Sequence, residues 1–152
     1  MLAVLLLAGC GFHLQGAVKT PPEMSRTFVD AVDEYSLFHR ELRLGLQAAG
    51  VELVDAPEQA TAILSILTDR TDQRVLSVSA RNVPTEYEVF YTVEYRLTTS
   101  DAVLLNPRAV TLTRDYTYDT TLVLGKAREE ELMREAIVQD LVRIVLKQIS
   151  SL

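Results

Sequence analysis

The chain is poor in the side chains that most often carry chemistry. It has one cysteine, Cys10, and two histidines, His13 and His39. It has no Cys-x-x-Cys pair, no Gly-x-Ser-x-Gly turn and no glycine-rich phosphate loop. A zinc site needs more ligands at workable spacing than these residues supply. A Ser–His–Asp relay would have to recruit His39, which falls within an expected helix and reads as a solvated helix residue. The acidic residues show no spacing that marks a catalytic pair. No catalytic residue, metal or cofactor is assigned, and the chain reads as a non-enzyme. Positive charge is scarce too. A net charge of −6 argues against a broad nucleic-acid footprint and against a polybasic membrane patch. An anionic partner must therefore be held by a few local cations.

What is present fits one globular domain: 152 residues, 48% hydrophobic and 24% charged. The place of the lone cysteine is informative. Met1 to Cys10 reads M-L-A-V-L-L-L-A-G-C, an uncharged apolar run ending in small residues. It is too short to span a bilayer, which takes ~20 apolar residues as a helix. It resembles the hydrophobic region and cleavage site of a secretory signal. Leu7-Ala8-Gly9-Cys10 also resembles a bacterial lipobox, in which small residues precede a thiol that is lipidated. No Lys or Arg precedes the run as a basic n-region would, which leaves room for a start upstream of Met1. The expected organisation is a signal peptide over 1–9, a lipidated tether over 10–23 and a single domain over 24–152. Two or more acyl chains anchor stably, at ~0.8 kcal/mol per buried methylene. Gly11, not Asp, follows the cysteine, which by resemblance favours the outer membrane.

Periodicity suggests the domain's layout. Arg26 to Val32 reads as a first strand. Ser36 is a helix N-cap, and Phe38, Leu42, Leu46 and Ala49 follow at helical spacing before Gly50, so a helix is expected over 36–49. Val51 to Asp55 is a short extended piece. Thr61 to Ser79 is one long strand, or two around a polar bend at Asp69-Arg70-Thr71-Asp72. Thr85 to Thr99 alternates most clearly, with Tyr87, Val89, Tyr91, Val93, Tyr95 and Leu97 on one face. Asn106-Pro107 marks a turn, and Ala109 to Thr120 forms a strand antiparallel to the previous one. Lys126 to Ser150 is a long helix with a wide apolar face, and Glu129 to Glu131 occupy its first turns. The fold class is α+β: one small mixed, mainly antiparallel sheet of about four strands, with two helices packed on one face.

With that layout in place, Cys10-Gly11-Phe12-His13-Leu14-Gln15-Gly16 resembles the lipidated N-terminus of the LptE family of LPS-assembly lipoproteins. The resemblance continues through Gly50-Val51-Glu52-Leu53-Val54-Asp55, Arg81-Asn82 with Thr85-Glu86-Tyr87, and Leu124-Gly125-Lys126. It implies two helices on a small sheet, a lipid on Cys10, and a place as a plug in the lumen of the outer-membrane β-barrel LptD, on the periplasmic side. It implies that the chain assists barrel assembly and binds lipopolysaccharide. The family's LPS-contacting Arg matches Arg81, between two strands, and its Lys matches Lys126, in the loop before the last helix. Both cations could meet phosphates or carboxylates while neighbouring Tyr or Leu side chains touch acyl chains. The competing readings are an auxiliary lipoprotein of another envelope lipid-transport complex and a lipid-anchored periplasmic hydrolase.

Overall fold

The computed structural model describes residues 19–117 and 123–152. The elements run β1 (Arg26–Ala31), α1 (Leu37–Ala48), β2 (Glu52–Val54), β3 (Ala62–Val78), β4 (Pro84–Thr98), β5 (Val103–Thr117) and α2 (Val123–Ile149). They form one five-stranded sheet in the order β2-β1-β3-β4-β5. β1 pairs parallel with both β2 and β3, while β3, β4 and β5 form an antiparallel meander. This is the expected α+β layout with one strand more. The addition is β2, whose three residues sit where a short extended piece was read.

Local chemistry sets the ends of α1. The Ser36 hydroxyl accepts from the His39 amide at 3.0 Å, which satisfies one orphan donor of the first turn. At the other end the Gly50 amide donates to Gln47 O and the Val51 amide to Leu46 O, both at 3.0 Å. Gly50 at φ +86° supplies the left-handed step this C-terminal motif needs, and Val51 buries beside Leu46.

β4 is the spine. Val89, Tyr91, Val93, Tyr95 and Leu97 are all buried on the side facing the helices. On the opposite side Glu86, Glu88, Phe90, Thr92, Glu94 and Arg96 are half-buried or exposed, with Arg74 bonded to Glu88 at 2.6 Å and Thr92 to Thr111 at 2.8 Å. α2 lies over β4 and β5, and α1 packs against α2 and β2. The width of the apolar face of α2 is thereby explained within the domain. Ile137, Val138, Leu141, Val142, Val145, Leu146 and Ile149 are all buried. A Cβ on Gly45 of α1 would lie 2.8 Å from Leu146 Cδ1 and 3.2 Å from Val142 Cγ1, so the two helices meet closely there.

Two local readings change, and one open choice is decided. Asn106-Pro107 lies inside β5, and the β4–β5 turn falls earlier, where the Thr99 amide bonds Ala102 O at 2.8 Å. Leu105 pairs with Leu97 and Arg108 with Tyr95, so Asn106 and Pro107 together stand opposite Arg96 in a bulge. An edge strand accepts proline at such a point because the missing donor costs no ladder bond. Of the two alternatives for Thr61 to Ser79, the single long strand holds: β3 runs through Asp69–Asp72, with a register shift between Ile66 and Thr68. Helix α2 begins at Val123, so Lys126 is helical and not in a preceding loop, and Glu129 to Glu131 lie beyond its first turn.

Candidate functional site

The β3–β4 connection presents Arg81. The Asn82 amide donates to Ser79 O at 2.9 Å and the Ser79 amide to Val83 O at 2.8 Å, closing a three-residue loop of Ala80, Arg81 and Asn82. Asn82 takes the left-handed position at φ 58°, a conformation asparagine tolerates, and Val83 N also donates to Ser79 Oγ at 3.3 Å. The loop holds Arg81 at its apex, exposed. Among the described residues no carboxylate pairs with it, whereas Arg74, seven positions earlier, is held by Glu88.

Lys126 lies in the N-terminal part of α2; its side chain is outside the described residues. The backbone still relates the two positions. Glu86, just after the β3–β4 loop, pairs with Thr117 at the end of β5, and α2 starts six residues beyond Thr117. The Arg81 loop and the approach to Lys126 therefore share one end of the sheet. Cys10, and with it the lipobox and most of the expected tether, lies outside the described residues.

A second polar cluster lies at the N-terminus of α1, where no functional residue was expected. Asp69 accepts from the Tyr91 hydroxyl at 2.5 Å and from Ser36 Oγ. Burial raises the Tyr91 pKa, and the hydrogen bond to Asp69 and that carboxylate's charge raise it further, against a smaller lowering by the Phe38 backbone. His39 is buried here, not solvated: Nδ1 lies 2.7 Å from Glu34 O, so Nδ1 carries the hydrogen and donates. Nε2 is buried without a hydrogen-bond partner among the described residues. Ser, His and Asp thus meet, but the Ser36 hydroxyl bonds Asp69 and not the imidazole, so the relay geometry is not formed. The cluster ties the start of α1 to β3 and β4. A cleft of about 210 Å³ between the helices is lined by Leu37, Arg40, Glu41, Glu135 and Gln139, and its Glu41 is bonded to Arg40 at 3.1 Å. Among the described residues no three His, Cys, Asp or Glu side chains converge on a metal position, and no helix is long and apolar enough to cross a membrane.

The family model for LptE, described as lipopolysaccharide-assembly, matches residues 24–149. The chain belongs to the LptE family. Its curated relatives include the LPS-assembly lipoprotein LptE of Pectobacterium atrosepticum, 30% identical over 95% of this chain and 81% of that protein. The LptE of Yersinia enterocolitica is also 30% identical, over 95% of this chain and 72% of its own length. Among solved structures, an uncharacterized lipoprotein B of Nitrosomonas europaea superposes with a TM-score of 0.77 at 27% identity, covering 93% of this chain and 92% of that one. The rare lipoprotein B of Shewanella oneidensis gives 0.72 at 27% identity, over 83% of this chain and 94% of its own. The LptE resemblance first seen in short motifs thus extends through the whole domain.

Proposed function

We propose that this LptE-family chain is a lipoprotein of lipopolysaccharide assembly. A lipid on Cys10 holds it at the outer membrane, on the periplasmic side. There it acts as plug and assembly partner of the LptD β-barrel, in the translocon that inserts lipopolysaccharide into the outer leaflet. It binds lipopolysaccharide through Arg81 and Lys126. Its work is recognition and support of the barrel rather than bond-breaking.

The observation that carries the reading is the family match over residues 24–149, joined to an Arg81 that is exposed at a loop apex and paired with no carboxylate among the described residues. A guanidinium with no internal carboxylate keeps its forked donors for a phosphate. Each such charge-assisted contact is worth about 1.5–3 kcal/mol at most, and less in the open solvent of a loop. One loop cation gives a modest contribution, so the second cation at the same end of the sheet is needed for useful affinity.

Two measurements test it. The full chain, extracted from outer membrane in detergent, is expected to co-purify with a large β-barrel; recovery alone, or with an inner-membrane transporter, points to another envelope complex. The Arg81→Glu/Lys126→Glu double variant is expected to bind lipopolysaccharide more weakly while unfolding at the same denaturant concentration. Unchanged affinity removes the site assignment.

A further inference from the structure

The hairpin that carries Arg81 has a feature that phosphate binding does not use. Val75, Leu76, Val78 and Val83 are 46%, 45%, 53% and 39% exposed, and they account for four of the ten large hydrophobic residues exposed among the described ones. Between Val75 and Val83 the single ionisable side chain is Arg81. Scattered exposed aliphatics need no explanation, but a contiguous group at one tip does.

Two irregularities shape this group. The β3–β4 register shifts between Val75 and Ser77 and again between Ser77 and Val78. Such shifts break the strict alternation of faces and add twist, so neighbouring Val75 and Leu76 are both exposed. On the helix side Val75 pairs with Tyr87, whose ring stacks on Tyr116 at a centroid distance of 5.5 Å. An apolar row therefore runs from the half-open Val75 across three strands to the buried Tyr116. At the end of that row the exposed aliphatic positions flank Arg81 along the hairpin. Arg74 is taken up by Glu88 and Glu86 accepts from Ser77, so of the cations on this hairpin Arg81 is the one at the apex, bonded to no carboxylate among the described residues. A surface of this kind complements an amphiphile with an anionic head and hydrocarbon tails.

We propose that the hairpin tip holds the acyl chains of the phosphorylated glycolipid, with Val75, Leu76, Val78 and Val83 against hydrocarbon and Arg81 at a headgroup phosphate. The inference rests on the reading that the chain binds lipopolysaccharide, and adds the half of the ligand that a cation cannot select. Preference for acylated over deacylated ligand then comes from these four side chains, because apolar area removed from water is the source of that preference.

The experiment uses the full chain in detergent and two probes: rough lipopolysaccharide, and the same saccharide with its phosphates kept and all acyl chains removed. The unmodified protein is expected to bind the acylated probe at least about tenfold more tightly. Val75→Thr/Leu76→Thr/Val78→Thr/Val83→Thr keeps β-propensity while removing apolarity, and is expected to lose most of that preference while binding the deacylated probe as before. An apolar swap, Leu76→Ile with Val83→Ile, is expected to retain it, which separates apolarity from a disturbed fold. If the threonine variant keeps the preference, the proposal is overturned. The same holds if it keeps the preference but no longer co-purifies with the barrel, in which case the tip is a protein contact. Equal binding of both probes by the unmodified protein overturns this inference and leaves lipopolysaccharide binding standing. Binding of neither probe overturns both.

Discussion

The two ends of β3 are built of similar residues and meet different fates. Of its first five residues, Ala62, Leu64, Ser65 and Ile66 are buried; from Asp72 to Leu76 every residue is exposed. The strand geometry is the same at both ends and the pairing with β4 is continuous apart from local shifts. What differs is the cover. Near the start of β3, α1 and the C-terminal half of α2 close a core that contains Phe38, Leu42, Leu46, Leu64, Ile66, Tyr95, Leu97 and Ile149. Beyond Thr71 the β3 side chains up to Leu76 lie open to solvent, although Val89 and Tyr116 on the strands beside them stay buried. The buried core is therefore concentrated at one end and the proposed binding residues at the other. A loop with little buried surface can change its contacts without unfolding the core.

The largest test of that division is in the closed half. Leu42 is fully buried where α1 meets the rest of the core. Leu42→Ala is expected to lower unfolding stability by roughly 2–5 kcal/mol, through lost transfer energy and the cavity left behind. Urea unfolding followed by circular dichroism measures it; a loss below 1 kcal/mol would show that this end is not the stable one. Tyr91→Phe comes next. It removes a buried hydroxyl that donates to Asp69 at 2.5 Å, a charge-assisted bond worth about 1.5–3 kcal/mol. The pH dependence has a definite sign. The Tyr91 pKa is raised above the ordinary 10.0, so the phenol of the folded chain keeps its proton after that of the unfolded chain has lost it. The stability this contributes is complete below pH 10 and declines as pH rises through the alkaline range. Tyr91→Phe should flatten part of that decline, and the Tyr95 hydroxyl, likewise raised by burial, should account for another part. Identical alkaline slopes in Tyr91→Phe and the parent chain would refute the coupling.

How much of this was legible depends on how local each cause is. The alternation of β4 could be read because one face is buried along nearly its whole length and the other is not. Ser36 and Gly50 announce the ends of α1 because capping acts within four residues. Arg81 could be matched through its neighbours Asn82, Thr85, Glu86 and Tyr87. The start of α2 was misplaced by three residues at a boundary with no capping signal, whereas the other misreadings depended on distant partners. Asn106-Pro107 reads as a turn unless Arg96 on the adjacent strand is known to face a bulge at a sheet edge. The choice between one strand and a bend at Asp69 stayed open because the groups that accommodate it, Ser36 and Tyr91, lie 33 and 22 residues away. His39 looks solvated in a helix of mixed polarity, and only tertiary packing buries it. The exposed aliphatic tip was hidden for the opposite reason: its residues look like ordinary strand interior.

Smaller effects sharpen the comparison where the two halves meet and where they part. Ser36→Ala removes a helix cap and one partner of Asp69 together, so it should cost about 1–2 kcal/mol, at the upper end for a cap alone. A change within 0.3 kcal/mol would mean that α1 is held by packing alone. Arg81→Glu should then have the least effect on folding of all. The side chain is exposed and bonded to no described residue, so its reversal should move stability by no more than about 0.5 kcal/mol. Binding should respond in the opposite proportion: a reversed charge at the loop apex repels a phosphate that the native guanidinium attracts, and affinity for lipopolysaccharide should fall several-fold, most clearly at low salt. Isothermal titration beside urea unfolding reads both quantities on one sample. A large loss of stability without loss of affinity would invert the comparison, making the hairpin a structural element and leaving the binding residues to be sought over the closed half.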